Sequence, residues 1–187
     1  MAAVVVIAVR GSRTTARGAG AVRPDRKHGL PPVLARDTRV LILGSFPGEA
    51  SLAAKQYYAH PRNQFWSLVG TLLDAPLPAL PYRERLATLR ANGIGLWDAI
   101  VACEREGSLD GAIRNAKRGD ILRVRRAAPS VALVCFNGKT AARAQAAWHD
   151  AGYATLALPS SSPAYTRPFE EKLAAWRAFG DFLRRDR

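Results

Sequence analysis

Two asparagines stand where a side-chain amide has chemical work to do. Asn63 lies in Tyr57-Tyr58-Ala59-His60-Pro61-Arg62-Asn63-Gln64-Phe65-Trp66, and Asn137 follows the apolar run Val131-Ala132-Leu133-Val134-Cys135-Phe136. An amide is no general base at neutral pH, but its carbonyl oxygen accepts a hydrogen bond and orients a water. Each residue also has a plain structural reading, since Asn63 before Gln64 and Asn137 before Gly138-Lys139 both fit helix N-caps. Two Tyr, a His, an Arg and an Asn crowded ahead of a helix are costly to bury, which argues for contact with a ligand. His60 reads as structural, because a residue before proline is held extended.

Three further segments carry polar or turn-forming residues: Gly44-Ser45-Phe46-Pro47-Gly48, Asp98-Ala99-Ile100 and Pro159-Ser160-Ser161-Ser162-Pro163. Small residues allow tight turns and close approach of backbone to a ligand, though a serine-proline stretch is also an ordinary loop. Arg62, Lys139, Arg143 and Arg167 lie near these segments and read either as phosphate contacts or as solvated cations.

The elements that must hold these segments follow from periodicity. Arg39–Gly44, Val131–Phe136 and Ala154–Leu158 are short continuous apolar runs, with a weaker one over Ile94–Trp97, as expected of strands buried on both faces. Helical spacing covers Phe65–Leu73, Tyr82–Ala91 (with Gly93 as a stop), Asp120–Ala127, Lys139–Ala151 and the stretch from Pro168 through Leu183. Alternation of buried strands and helices predicts an α/β fold, a three-layer αβα sandwich around a central, mostly parallel sheet of about four strands. In such sheets ligands bind at the carboxyl ends of the strands, where the polar segments fall. Residues 1–37 are rich in Arg, Gly and Ala, carry Pro24, Pro31 and Pro32, and read as a flexible basic arm. Residues 38–187 read as one domain.

The chain has 187 residues and a formal charge of +13. A charge of that size repels itself and points to an anionic partner such as nucleic acid, with an Arg-rich but idle surface as the rival explanation. Cys103 and Cys135 are too few and too far apart for a zinc or iron–sulfur site, and as reduced thiols they suit a cytoplasmic protein. No run is long enough to span a membrane. The apolar residues 2–9 lack the basic segment that precedes a secretory signal core.

Taken together, Gly44–Gly48, Tyr58–Trp66 and Pro159–Pro163 resemble the uracil-DNA glycosylase superfamily, most of all its hypoxanthine (deoxyinosine) branch, from about Gly29 to the C-terminus. The resemblance implies a monofunctional, monomeric glycosylase that flips a deaminated base, hypoxanthine foremost, out of DNA and hydrolyses its glycosidic bond without metal or cofactor. It implies that Asn63 and Asn137 are catalytic, Asn63 by orienting the attacking water and Asn137 by pairing its amide with the lactam edge of the base, and that Tyr58 stacks on the flipped base beside Gly44, Ser45, Phe46 and Asp98. It implies further that Ser160, Ser161, Ser162, Pro163, Arg62 and Lys139 meet DNA. The chain departs from the superfamily at Phe46 and Leu158, where polar catalytic residues are customary. Two rivals follow: a uracil or broad-specificity glycosylase, and a non-catalytic nucleic-acid-binding module on the same fold.

Overall fold

The computed structural model describes residues 26–185. The first half of the chain forms β1 (Arg26–His28), β2 (Val40–Gly44), α1 (Glu49–Ala54), α2 (Phe65–Leu73), α3 (Tyr82–Ala91) and β3 (Ile94–Asp98). The second half adds β4 (Ile100–Glu104), β5 (Arg114–Arg118), α4 (Ile121–Ala127), β6 (Leu133–Asn137), α5 (Lys139–Ala142), α6 (Gln145–Asp150), β7 (Ala154–Leu158) and α7 (Phe169–Arg185).

Four parallel strands in the order β3-β2-β6-β7 form the main sheet. The period of two along β2 divides the core. Val40 and Ile42 face one layer, packing with Phe65, Trp66, Leu68 and Val69 of α2, Leu89 of α3 and Trp176 and Phe179 of α7. Leu41 and Leu43 face the other, with Val124 of α4, Ala141 of α5 and Trp148 of α6. Every residue of β2, β3 and β6 is buried, which is why these strands read as unbroken apolar runs. The result is the three-layer sandwich expected from the alternation of elements.

Three features differ from the expectation. A second, antiparallel sheet of order β1-β4-β5 branches off where the chain leaves β3. The branch point is tight: Ala99 N donates to Gly44 O at 2.8 Å and Ile100 N to Ser45 O at 3.0 Å. Residues 26–37, assigned to a flexible arm, are pinned to the domain instead. There β1 pairs with β4, Val33 bridges Leu96 and enters the core, and Tyr57 Oη donates to Pro31 O at 3.2 Å. The remainder of the arm, residues 1–25, lies outside the described residues. Lastly, the helix expected over Lys139–Ala151 is two short ones, separated at Arg143 and Ala144.

Candidate active site

Register places the carboxyl ends of the sheet at one level, with Gly44 opposite Asp98 and Asn137 opposite Leu158. The loops that leave these ends, with the Tyr57–Asn63 segment, enclose a cavity of about 340 Å³. Gly44, Ser45, Phe46, Tyr58, Asn63, Asp98, Asn137, Lys139, Ser160, Ser161, Ser162 and Pro163 all line it, so one pocket gathers residues from across the chain. Gly44 is required there by space: a Cβ would stand 2.7 Å from Asp98 Oδ1 and 3.4 Å from Tyr58 Oη. Gly138 is required twice, by a φ of +96° and by Ser160 Cβ, which a side chain would meet at 2.9 Å.

Tyr58 adopts a φ of +54°, a left-handed conformation that costs a non-glycine residue on the order of 1 kcal/mol and recurs at functional sites. That conformation seats one ring face on Phe65, with centroids 3.8 Å apart and planes 12° from parallel. Its hydroxyl is buried beside Gly44 and finds no hydrogen-bond partner among the described residues. Burial raises the phenol's pKa, and the negative charge of Asp98 adds to that; the Asn137 amide works partly against both. The group therefore remains a proton donor at any ordinary pH.

Asp98 is 4% exposed, and its Oδ2 has no partner among the described residues. Burial pushes its pKa up to about 8, helped by the negative Asp110, while the Arg105 cation pulls the other way. At neutral pH the carboxyl is accordingly a neutral acid, able both to donate and to accept. Tyr58 Oη, close to Gly44, and Asp98 Oδ2, whose fellow carboxyl oxygen Oδ1 also packs on Gly44, are thus both without a partner among the described residues, and both residues line the cavity. Buried polar atoms are nearly always paired, so this pair is built for a partner outside the chain.

The asparagines are engaged differently from one another. Asn63 Oδ1 accepts from Phe65 N at 3.0 Å, satisfying the first N–H of α2 from one residue ahead of its N-cap, Gln64, while its Nδ2 bonds to nothing among the described residues. Asn137 does not cap α5, whose N-cap is Gly138. Its Oδ1 accepts from Ser161 N at 2.9 Å and its Nδ2 donates to Ser161 Oγ at 2.8 Å. Each half of the amide makes one bond to the Pro159–Pro163 loop, leaving a second N–H and a second lone pair. Ser161, expected to touch DNA, is 1% exposed with its amide and hydroxyl held by Asn137, so its side chain faces inward. Ser160 and Ser162 are only partly buried and line the cavity.

The same loop is fixed from three other sides. Gln64 N donates to Ser161 O at 3.0 Å, Trp176 Nε1 to Pro159 O at 2.9 Å, and Lys172 Nζ to both Tyr165 O and Gln64 Oε1 at 2.7 Å. Lys172 was missed in the sequence, yet it stands on the apolar stripe of α7 between Phe169 and Trp176, where a lysine is out of place. Arg105 was also missed. It is 4% exposed, donates to Pro47 O and lies 4.8 Å above the Phe46 ring, holding the Gly44–Gly48 loop from behind. With its ring buried, Phe46 presents backbone rather than a polar side chain. His60 Nδ1 accepts from Arg62 N at 3.1 Å, a structural bond, and Arg62 and Lys139 are exposed at the surface.

The geometry agrees with what comparison with known proteins finds. Residues 31–181 match the model of the uracil DNA glycosylase superfamily. The hypoxanthine DNA glycosylase of Methanosarcina barkeri is 39% identical over 151 residues, covering 81% of this chain and 96% of that protein. The protein of the same name from Methanosarcina acetivorans is 40% identical over 152 residues, again 81% and 96% of the two chains. A solution NMR structure from M. acetivorans, described as a candidate uracil DNA glycosylase, superposes with a TM-score of 0.78 at 39% identity, over 86% of this chain and 99% of that one. By fold, by the loops at its strand ends and by sequence, the chain belongs to the uracil DNA glycosylase superfamily, enzymes that hydrolyse the N-glycosyl bond between a base and DNA.

Proposed function

We propose that this DNA glycosylase takes hypoxanthine as its first substrate, and that it works as a cytoplasmic monomer with neither metal nor cofactor. The observation that supports the reading is that two residues lining the cavity, Tyr58 and Asp98, each carry a buried oxygen, Oη and Oδ2, with no partner among the described residues. A flipped hypoxanthine slides against the Tyr58 ring, whose other face rests on Phe65. The neutral Asp98 carboxyl donates to the lactam oxygen and accepts from the lactam N–H. The bond donated to the lactam oxygen strengthens as negative charge builds on the departing purine, which is the condition for catalysis rather than mere binding.

Asn137 holds the Pro159–Pro163 loop against the pocket, and its remaining N–H and lone pair are left for the base edge. Asn63 positions the attacking water. Its carbonyl oxygen has a second lone pair beyond the one used by Phe65 N, and its NH₂ is unclaimed by the described residues. Ser160, Ser162, Pro163 and Lys139 line the cavity, and Arg62, exposed next to the lining residue Asn63, joins them as contacts for phosphates flanking the extruded nucleotide.

The test is a set of duplexes bearing a single hypoxanthine, uracil or xanthine, incubated with the protein in EDTA and then treated with alkali. Cleavage at hypoxanthine, faster than at uracil, is the expected result; uracil preference or no cleavage defeats the proposal. Asn63→Ala is expected to slow single-turnover excision by about 10²-fold, the loss typical of one preorganised catalytic hydrogen bond. Asn63→Ser retains a capping oxygen. If it restores the melting temperature but not the rate, the water role stands; if it restores both, Asn63 is only a cap.

A further inference from the structure

Base flipping leaves a gap in the duplex stack, and an apolar side chain that enters the gap keeps the base from falling back. Across the cavity, the Pro159–Pro163 loop offers serines and prolines and is followed by Ala164, with no large apolar side chain among them. Tyr165 beyond it is partly buried, with its carbonyl bound by Lys172 and the lysine ammonium 5.3 Å above its ring.

The β4–β5 connection supplies what that loop lacks. Ser108, Leu109 and Asp110 line the cavity from the opposite side. Leu109 is 67% exposed, and among the described residues only Leu122, on α4 and outside the cavity, is another large apolar side chain so exposed. A single exposed leucine is ordinary on a protein surface; its placement is what matters here. Both neighbours are anchored. Ser108 Oγ accepts from Glu49 N at 2.9 Å, and Asp110 Oδ1 accepts from Ser45 Oγ at 2.8 Å. A short 3₁₀ turn, Asp110–Ala112, closes behind, with Ala112 N donating to Leu109 O at 3.1 Å. The leucine is thereby held outward on a braced turn at the cavity rim. The next strand, β5, exposes all five of its residues, among them Arg114, Lys117 and Arg118, cations suited to the phosphates of a duplex brought against this edge.

We propose that Leu109 is the side chain that enters the duplex in place of the extruded nucleotide, an inference that rests on the base-excision reading above. It adds a second DNA-probing element, the β4–β5 turn, to the loops of the pocket already described.

Leu109→Ala and Leu109→Met are compared with the unaltered protein on two hypoxanthine substrates. One is a fully paired duplex; the other places hypoxanthine within a bubble of mismatched pairs, where it is already unstacked. Leu109→Ala is expected to lose about tenfold or more on the duplex, to lose little on the bubble, and to be largely rescued by Leu109→Met. A 2-aminopurine beside the hypoxanthine is expected to brighten when the unaltered protein binds and to brighten less with Leu109→Ala. Equal rates for Leu109→Ala and the unaltered protein on the duplex would overturn the proposal. So would equal losses on duplex and bubble, which would mean that the leucine acts through the pocket or the fold. Failure of the unaltered protein on both substrates would be a different failure, that of the glycosylase reading itself.

Discussion

A buried acid that must stay protonated ties activity and stability to pH in the same direction. Asp98, with its pKa pushed up to about 8 chiefly by burial, loses its donor proton as pH rises through that value. Excision by the unaltered protein is therefore expected to fall above about pH 8. The Asp98→Asn variant would keep a donor and an acceptor that do not titrate, so its pH–rate profile should be flat there. Stability follows the same sign. The native state binds the Asp98 proton more tightly than the unfolded chain, so its contribution is complete below the unfolded pKa near 3.8 and is lost progressively up to about 8. Melting temperatures measured between pH 5 and 9 should fall for the unaltered protein and fall less for Asp98→Asn. A parallel fall in both would place the titration elsewhere. Asn137→Ala should act on both axes too: it leaves the Ser161 amide and hydroxyl unpaired in the interior, costing about 1–3 kcal/mol each, and it slows excision by freeing the loop. None of this pairing is visible in the sequence, because Asn137 and Ser161 are 24 residues apart and meet only when β6 and β7 come into register. What the sequence does display is residue type: an Asn at a strand end and a glycine where Asp98 and Tyr58 leave no room for a side chain.

Elements built of apolar residues announced themselves, the edge strand β7 included, and elements built of polar residues did not. The continuous apolar runs of β2 and β6 and the helical stripes of α2 and α7 predicted their positions to within a residue or two. β5, Arg-Asn-Ala-Lys-Arg, has no apolar residue beyond one alanine, and β1 is three polar residues long. Such strands form because β4 offers them its backbone, a tertiary cause that no local pattern records. That distinction also relocates the start of the domain. A chain beginning at Arg26 is expected to melt like the full protein. One beginning at Thr38 loses the β1 ladder, the buried Val33 and the Tyr57 contact to Pro31, and should be destabilised by roughly 3–5 kcal/mol. Chemical denaturation of the two truncations reads the difference; equal midpoints would mean that residues 26–37 add nothing to the fold.

At the scale of the whole molecule, the charge of +13 has to be placed before it explains anything. Residues 1–25 hold four arginines and one aspartate, so most of the excess sits on the rest of the chain, including the cavity rim and β5. Each cation that neutralises a DNA phosphate releases a counterion and adds about 0.9 to the slope of log affinity against log salt. Arg62 and Lys139 are exposed, and Lys139 lines the cavity beside the Pro159–Pro163 loop. Replacing both with alanine is expected to lower that slope by about two and to weaken binding alike for damaged and undamaged duplexes, since phosphates carry no sequence. Arg36 and Arg90 make the control: they are as exposed, but they precede β2 and β3 and so lie toward the amino ends of the sheet, away from the cavity. Their double alanine variant should leave the slope nearly unchanged. Equal losses from the two pairs would mean that the protein binds DNA through diffuse charge rather than through the rim of its pocket. The expected contrast requires a duplex oriented with its backbone along the strand ends, which is the orientation that delivers a flipped base to Tyr58 and Asp98.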